Sequence, residues 1–120
     1  MGKLDNLGAI VTGAAEGIGE AIAIELASNG AKVACIDFNE ESGSETAKKI
    51  MDSGGEAVFI KTDISDPDQV KKMVNSSVEF LGSIDILVNN AAKFIFGAVE
   101  DVSQEQWEDI LKVNVIGYST

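Results

Sequence analysis

Three glycines and one acid carry the first chemical signal in this chain. The stretch TGAAEGIG, Thr12 to Gly19, sets Gly13, Gly17 and Gly19 between an apolar run and a helical pattern. A glycine directly after a strand permits a tight turn. A second lets backbone approach a pyrophosphate with no Cβ between them, and a third lets the next helix pack close to the sheet. The head of that helix offers free N–H groups to phosphate. The first two glycines stand further apart than in the common G-x-G-x-x-G pattern, and no Lys followed by Ser or Thr closes a P-loop. Taken alone, the loop also fits an ordinary glycine-containing turn. Asp37 shifts the reading. It ends the second apolar run, 18 residues after Gly19, where an acid accepts hydrogen bonds from the hydroxyls of an adenosine ribose. The same carboxylate repels a 2′-phosphate, and neither Glu16 in the loop nor Phe38 after the acid supplies a cation. NAD rather than NADP is therefore the expected cofactor. Asp37 as a mere strand-ending turn residue leaves its fit to the loop unexplained.

A second candidate lies in LKVNVIGYST, Leu111 to Thr120. Ser103 and Gln106 form a capping box. Trp107, Ile110, Leu111 and Asn114 then recur at the spacing of one helix face. An unpaired buried amide costs about 1–3 kcal/mol, so Asn114 requires designated partners. A core asparagine bonded to backbone and a functional asparagine both satisfy that demand. The chain has no histidine, which excludes a Ser-His-Asp triad, a Cys-His pair and the usual zinc constellations. No metal site is expected. Cys35 is the one cysteine, set in the apolar run KVACID, where a thiol behaves as a small hydrophobe.

The elements that must position these residues alternate strand and helix, the pattern of βαβ units around a parallel sheet. The first strand is GAIVTG, Gly8 to Gly13. A helix follows from about Gly17 to Asn29, with Ile18, Ile22 and Leu26 recurring four apart beside Ala21, Ala23 and Ala27. AKVACID is a second strand, apolar on both faces as a doubly covered strand should be. A helix from about Glu40 to Asp52, weakened by Gly43, carries acids in its first turn and Lys48 and Lys49 near its end, matching the dipole. Glu56 to Asp63 is a third strand. Asp66 caps a helix that begins at Pro67, and Val70, Met73, Val74, Ser77, Val78 and Leu81 form its inner stripe. Ile84 to Asn90 is the fourth strand.

The 120 residues are 45% hydrophobic, enough for the core of one domain, and carry a net charge of −11. That charge repels nucleic acid and anionic lipid surfaces. No apolar run approaches the roughly 20 residues of a membrane span, and the first residues lack a secretory signal pattern. A cytoplasmic protein is the default expectation.

The loop TGAAEGIG, Asp37, the segment TDIS with Asp63, NNAA at Asn89 to Ala92, and Asn114 in KVNVIG together resemble the short-chain dehydrogenase/reductases of the classical type, in the same order along the chain. The resemblance implies a Rossmann-like, doubly wound α/β fold with a parallel sheet in the order 3-2-1-4. Residues 1–120 would form the amino-terminal part of one NAD-binding domain, truncated before its carboxy-terminal catalytic half. It implies that Gly13, Gly17, Ile18 and Gly19 hold the pyrophosphate side of the cofactor and that Asp37, with Phe38 beside it, binds the adenosine ribose. Asp63 and the backbone of Ile64 would meet the adenine edge. Asn90, Ala91 and Ala92 would floor the site, Asn90 also tying the fourth strand to the first. Ala92 stands where the family usually has glycine. Asn114 matches the family's catalytic asparagine, which kinks its helix and holds a water in a proton relay.

The family completes its chemistry with a Ser and a Tyr-x-x-x-Lys further along. Tyr118, the only tyrosine, is expected on the Asn114 helix, has no lysine four residues on, and is not assigned that role; Ser119 comes too early. The implied function is hydride transfer between NAD and an alcohol or ketone, with no turnover by these residues alone. A non-catalytic nucleotide-binding module is the alternative, and a remnant unable to fold alone is a third reading. Family members are often dimers or tetramers, so a homo-oligomer is left open. Without further strands, ILVNN would be an open, apolar sheet edge. The resemblance implies that the loop Lys93 to Val99 leans two phenylalanines toward substrate, and without the missing half they would be exposed or poorly ordered.

Overall fold

The computed structural model describes residues 3–90 and the backbone of residues 115–117. Strand β1 (Gly8–Thr12) leads into α1 (Gly17–Ser28), β2 (Lys32–Asp37), α2 (Glu40–Asp52), β3 (Glu56–Lys61), α3 (Pro67–Leu81), β4 (Ile86–Asn89) and β5 (Val115–Gly117). All strand pairs are parallel, and the sheet order is β3-β2-β1-β4-β5. The chain builds outward from β1 to β3, then returns to the other side of β1. That reversal is the topological switch point at which doubly wound sheets bind ligands.

Alternation along the strands divides the core into two. On one face Ala9, Val11, Val33, Cys35, Ala57, Ile86 and Val88 pack with α1 and α2. On the other, Ile10, Ala34, Ile36 and Leu87 pack with Val70, Met73, Val74 and Leu81 of α3. Helices on both faces explain strands apolar throughout.

Caps fix the helix ends. The Asn39 side chain accepts from Ser42 N–H at 3.0 Å to open α2. Asp66 accepts from Asp68 N–H at 3.0 Å to open α3, with Pro67 in its first turn. Asp85 pins the start of β1: its Oδ2 accepts from Gly8 N–H at 2.9 Å, and its own N–H donates to Gly8 O at 2.8 Å.

In α1 the residues facing the sheet are Gly19, Ala23 and Ala27, whereas Ile18 is 66% exposed. Small side chains four apart let the helix axis approach the strands, and the larger Ile22 and Leu26 pack at its flanks. The far side of β4 is not an open edge, because Leu87, Val88 and Asn89 pair with Val115, Ile116 and Gly117. Backbone groups along β4 require partners, and the β-branched pair Val115 and Ile116 suits an extended segment. That strand also ends any helix through Asn114 before Tyr118 is reached. The expected helix from Ser103 to Asn114 and the loop 93–99 lie outside the described residues. Among the described residues, no helix is long and apolar enough to cross a membrane.

Candidate functional site

The carboxyl ends of β1, β2, β3 and β4 bring distant residues to one edge of the sheet. Gly13 and Gly17 both take left-handed backbone, with φ of 67° and 63°. Gly19 is fixed by close approach: a Cβ there would fall on the Gly13 carbonyl and lie 2.7 Å from Asn90 Nδ2. Asn90 in turn donates from Nδ2 to Gly13 O at 3.4 Å and from its N–H to Thr12 Oγ1 at 3.0 Å. The buried Thr12 hydroxyl lies 3.3 Å from Val88 O and 3.2 Å from Asn89 Oδ1. Strands β1 and β4 are thereby locked together beneath the glycine loop.

The head of α1 differs from the other helix starts. Its N-cap residue, Glu16, makes no side-chain capping bond, unlike Asn39 and Asp66. Its first-turn amides therefore point from the loop without a side-chain acceptor, the arrangement that receives an anion. Exposed Ile18 sits among them.

Asp37 stands next to this loop. Its Oδ2 accepts from Ala15 N–H and its Oδ1 from Asn39 N–H, each at 3.0 Å. Each oxygen retains acceptor capacity for a further donor. Gly13, Ile36, Asp37, Phe38, Thr62, Asp63 and Ile64 line a cleft of about 170 Å³. Phe38 is 63% exposed along it. The Ser65 hydroxyl, and then its amide, hold the Asp63 carboxyl below the usual aspartate range, because both donate to Oδ1. The Asp63 N–H donates to Gln69 Oε1 at 2.8 Å, which fixes this loop against α3.

Sequence reasoning found no cation near Asp37, but the β2–β3 register places Lys61 directly opposite it. The Lys61 ammonium lies 5.2 Å from the Phe38 ring centroid and 3.9 Å from Glu40 Oε2. Among the described residues no ion pair joins it to Asp37. Its position could have been found only by counting β3 back from Asp63 against β2. Thr46 was missed too. This buried residue of α2 lies 3.4 Å from Ala15 O and 3.1 Å from Glu20 Oε2. The Lys49 ammonium bonds that carboxylate at 3.0 Å and, outweighing partial burial, lowers the Glu20 pKa. A separate hollow of about 300 Å³, lined by Asp5, Asn6, Lys32 and Glu56 among others, opens at the amino ends of β2 and β3, away from the loop.

Of the residues singled out from sequence, Gly13, Asp37, Phe38, Asp63 and Ile64 share the cleft. Gly17, Ile18 and Gly19 head the adjoining helix, and Asn90 touches Gly13. Ala91, Ala92 and Asn114 lie outside the described residues.

The sequence profile of the short chain dehydrogenase family matches residues 8–120. An uncharacterized oxidoreductase of Thermotoga maritima is 41% identical over 109 residues, covering 91% of this chain and 43% of that protein. Versicolorin reductase of Emericella nidulans is 40% identical over 119 residues, covering 96% and 44%. The chain thus spans less than half the length of these curated relatives. Among solved structures, a hydroxysteroid dehydrogenase from Escherichia coli superposes with a TM-score of 0.73 at 38% identity, over 75% of this chain and 38% of that one. An NAD+-bound xylitol dehydrogenase superposes with a TM-score of 0.73 at 34% identity, over 76% and 35%. Switch point, glycine loop and strand-end acid agree with a profile match over nearly every residue, and the chain belongs to the short-chain dehydrogenase family.

Proposed function

We propose that the complete protein is an NAD-dependent oxidoreductase that transfers hydride between the nicotinamide and a small alcohol or ketone. The observation that carries this reading is the placement of the Asp37 carboxylate against the glycine loop, in the cleft shared with Gly13 and Asp63. The residues fit the cofactor. The uncapped head of α1, with Gly13, Gly17, Ile18 and Gly19, receives the pyrophosphate. Asp37 accepts from the ribose hydroxyls, with Phe38 as the exposed wall beside it. The Asp63 carboxylate keeps one oxygen free of Ser65 for the amino group of adenine, and Ile64 offers its backbone to the ring edge. Asn90 ties the floor of the site to the glycine loop, and Ala91 and Ala92 are the proposed continuation of that floor. When bound, NAD supplies the hydride-accepting ring.

Asn114 is the proposed proton-relay residue, holding a water between solvent and the reacting oxygen. The Ser and Tyr-x-x-x-Lys that would finish the relay are not among these 120 residues, so this stretch alone is expected to bind cofactor without turnover. Solved relatives complexed with NADH and bound to NAD+ support the cofactor class. Among the described residues no ion pair joins Lys61 to Asp37, and the Asp37 carboxylate at the ribose position favours NAD over its 2′-phosphorylated form. The complete protein, given a panel of secondary alcohols, should generate reduced nicotinamide from NAD with kcat/KM about 10-fold or more above that with NADP. Equal or better use of NADP contradicts the assignment.

A further inference from the structure

One residue of the glycine loop, Ala15, is held through both its N–H and its carbonyl oxygen by side chains from β2 and α2. Ala15 is 5% exposed. Its N–H donates to Asp37 Oδ2 at 3.0 Å, and its carbonyl oxygen faces Thr46 Oγ1 at 3.4 Å. Thr46 has no solvent exposure and reaches up from the middle of α2. Its single hydroxyl hydrogen faces three oxygens: Ala15 O, Glu20 Oε2 at 3.1 Å and Ser42 O at 3.2 Å. Those oxygens belong to the loop, the first turn of α1, and α2. Lys49, one turn along α2, neutralises the carboxylate at 3.0 Å. An acid in the first turn of a phosphate-binding helix is thus drawn sideways and paired rather than left facing the anion.

We propose that Thr46 is a positioning residue for the phosphate cradle, setting the Ala15 carbonyl and the Glu20 carboxylate so that the amides of Gly17 to Gly19 face the diphosphate. The inference rests on the dinucleotide reading above. A group that only fills space would affect fold stability and leave ligands weakened alike or untouched. A group that orients the loop affects the diphosphate and spares the nucleoside, because the adenosine cleft is walled by Asp37, Phe38, Thr62, Asp63 and Ile64.

The test is calorimetric titration of ADP-ribose and of adenosine into the complete protein, its Thr46→Val variant and its Thr46→Ser variant. Loss of one shared hydrogen bond predicts ADP-ribose binding weakened about 2- to 10-fold in Thr46→Val. Adenosine binding is expected to stay unchanged, and Thr46→Ser to restore the ADP-ribose value. Thr46→Ala, which only removes atoms, should give the same split if the valine variant does not fold. Equal loss for both ligands, or no loss, overturns the role of Thr46. A wild-type protein that binds adenosine but gains nothing from the diphosphate overturns the dinucleotide reading itself, and this inference with it.

Discussion

The Asp37 carboxylate bonds the Ala15 amide with one oxygen and the Asn39 amide with the other, so it braces the loop whose ligand it is proposed to share. Acid and glycines were legible in the sequence because their types and spacing are tied to local backbone demands. Lys61 and Thr46 were not, because they reach the site only through strand register and helix packing. Glu20 and Lys49 make a prediction at this scale. The folded-state pKa of Glu20 is lowered from its ordinary 4.5, chiefly by the Lys49 hydrogen bond. A depressed carboxyl pKa contributes stability above the unfolded value and loses it as pH falls through the folded one. Lys49→Met should therefore cost about 0.2–1 kcal/mol at neutral pH, with the difference from wild type shrinking below pH 4.5. Urea denaturation across that range measures it; a pH-independent difference would contradict the pairing.

Element boundaries were readable wherever a local device sets them. The span of α2 agrees with the sequence reading to the residue, and α3 begins at Pro67 after Asp66 as expected. In α1 the face pressed on the sheet is the small set Gly19, Ala23 and Ala27. Gly43 is a related case. It looks like a flaw in α2, yet a Cβ there would land on the Phe59 ring of β3. Helix propensity alone favours Gly43→Ala by about 1 kcal/mol. Overpacking against Phe59 costs about 1–3 kcal/mol, so the expected outcome is net destabilisation, seen as a lower denaturant midpoint. A raised midpoint would mean that the ring gives way freely.

In the whole molecule, alternating runs announced the first four strands, and the family resemblance implied their order. The fifth was not announced, because Val115 to Gly117 is too short a run. Central Cys35 reports on global opening: burial pushes its thiol from the ordinary 9.0 up to about 12. It should resist thiol reagents at pH 8 in the folded protein and react at once on denaturation. The folded state binds that proton more tightly, so its contribution is intact below pH 9 and lost as pH climbs toward 12. Rapid labelling under native conditions would place Cys35 outside the core. The most direct test of the dinucleotide cradle is titration of NAD and NADP into the complete protein and its Asp37→Ala variant. Wild type should bind NAD about 10-fold or more tightly than NADP, and the variant should lose most of that ratio. An unchanged ratio would contradict the account.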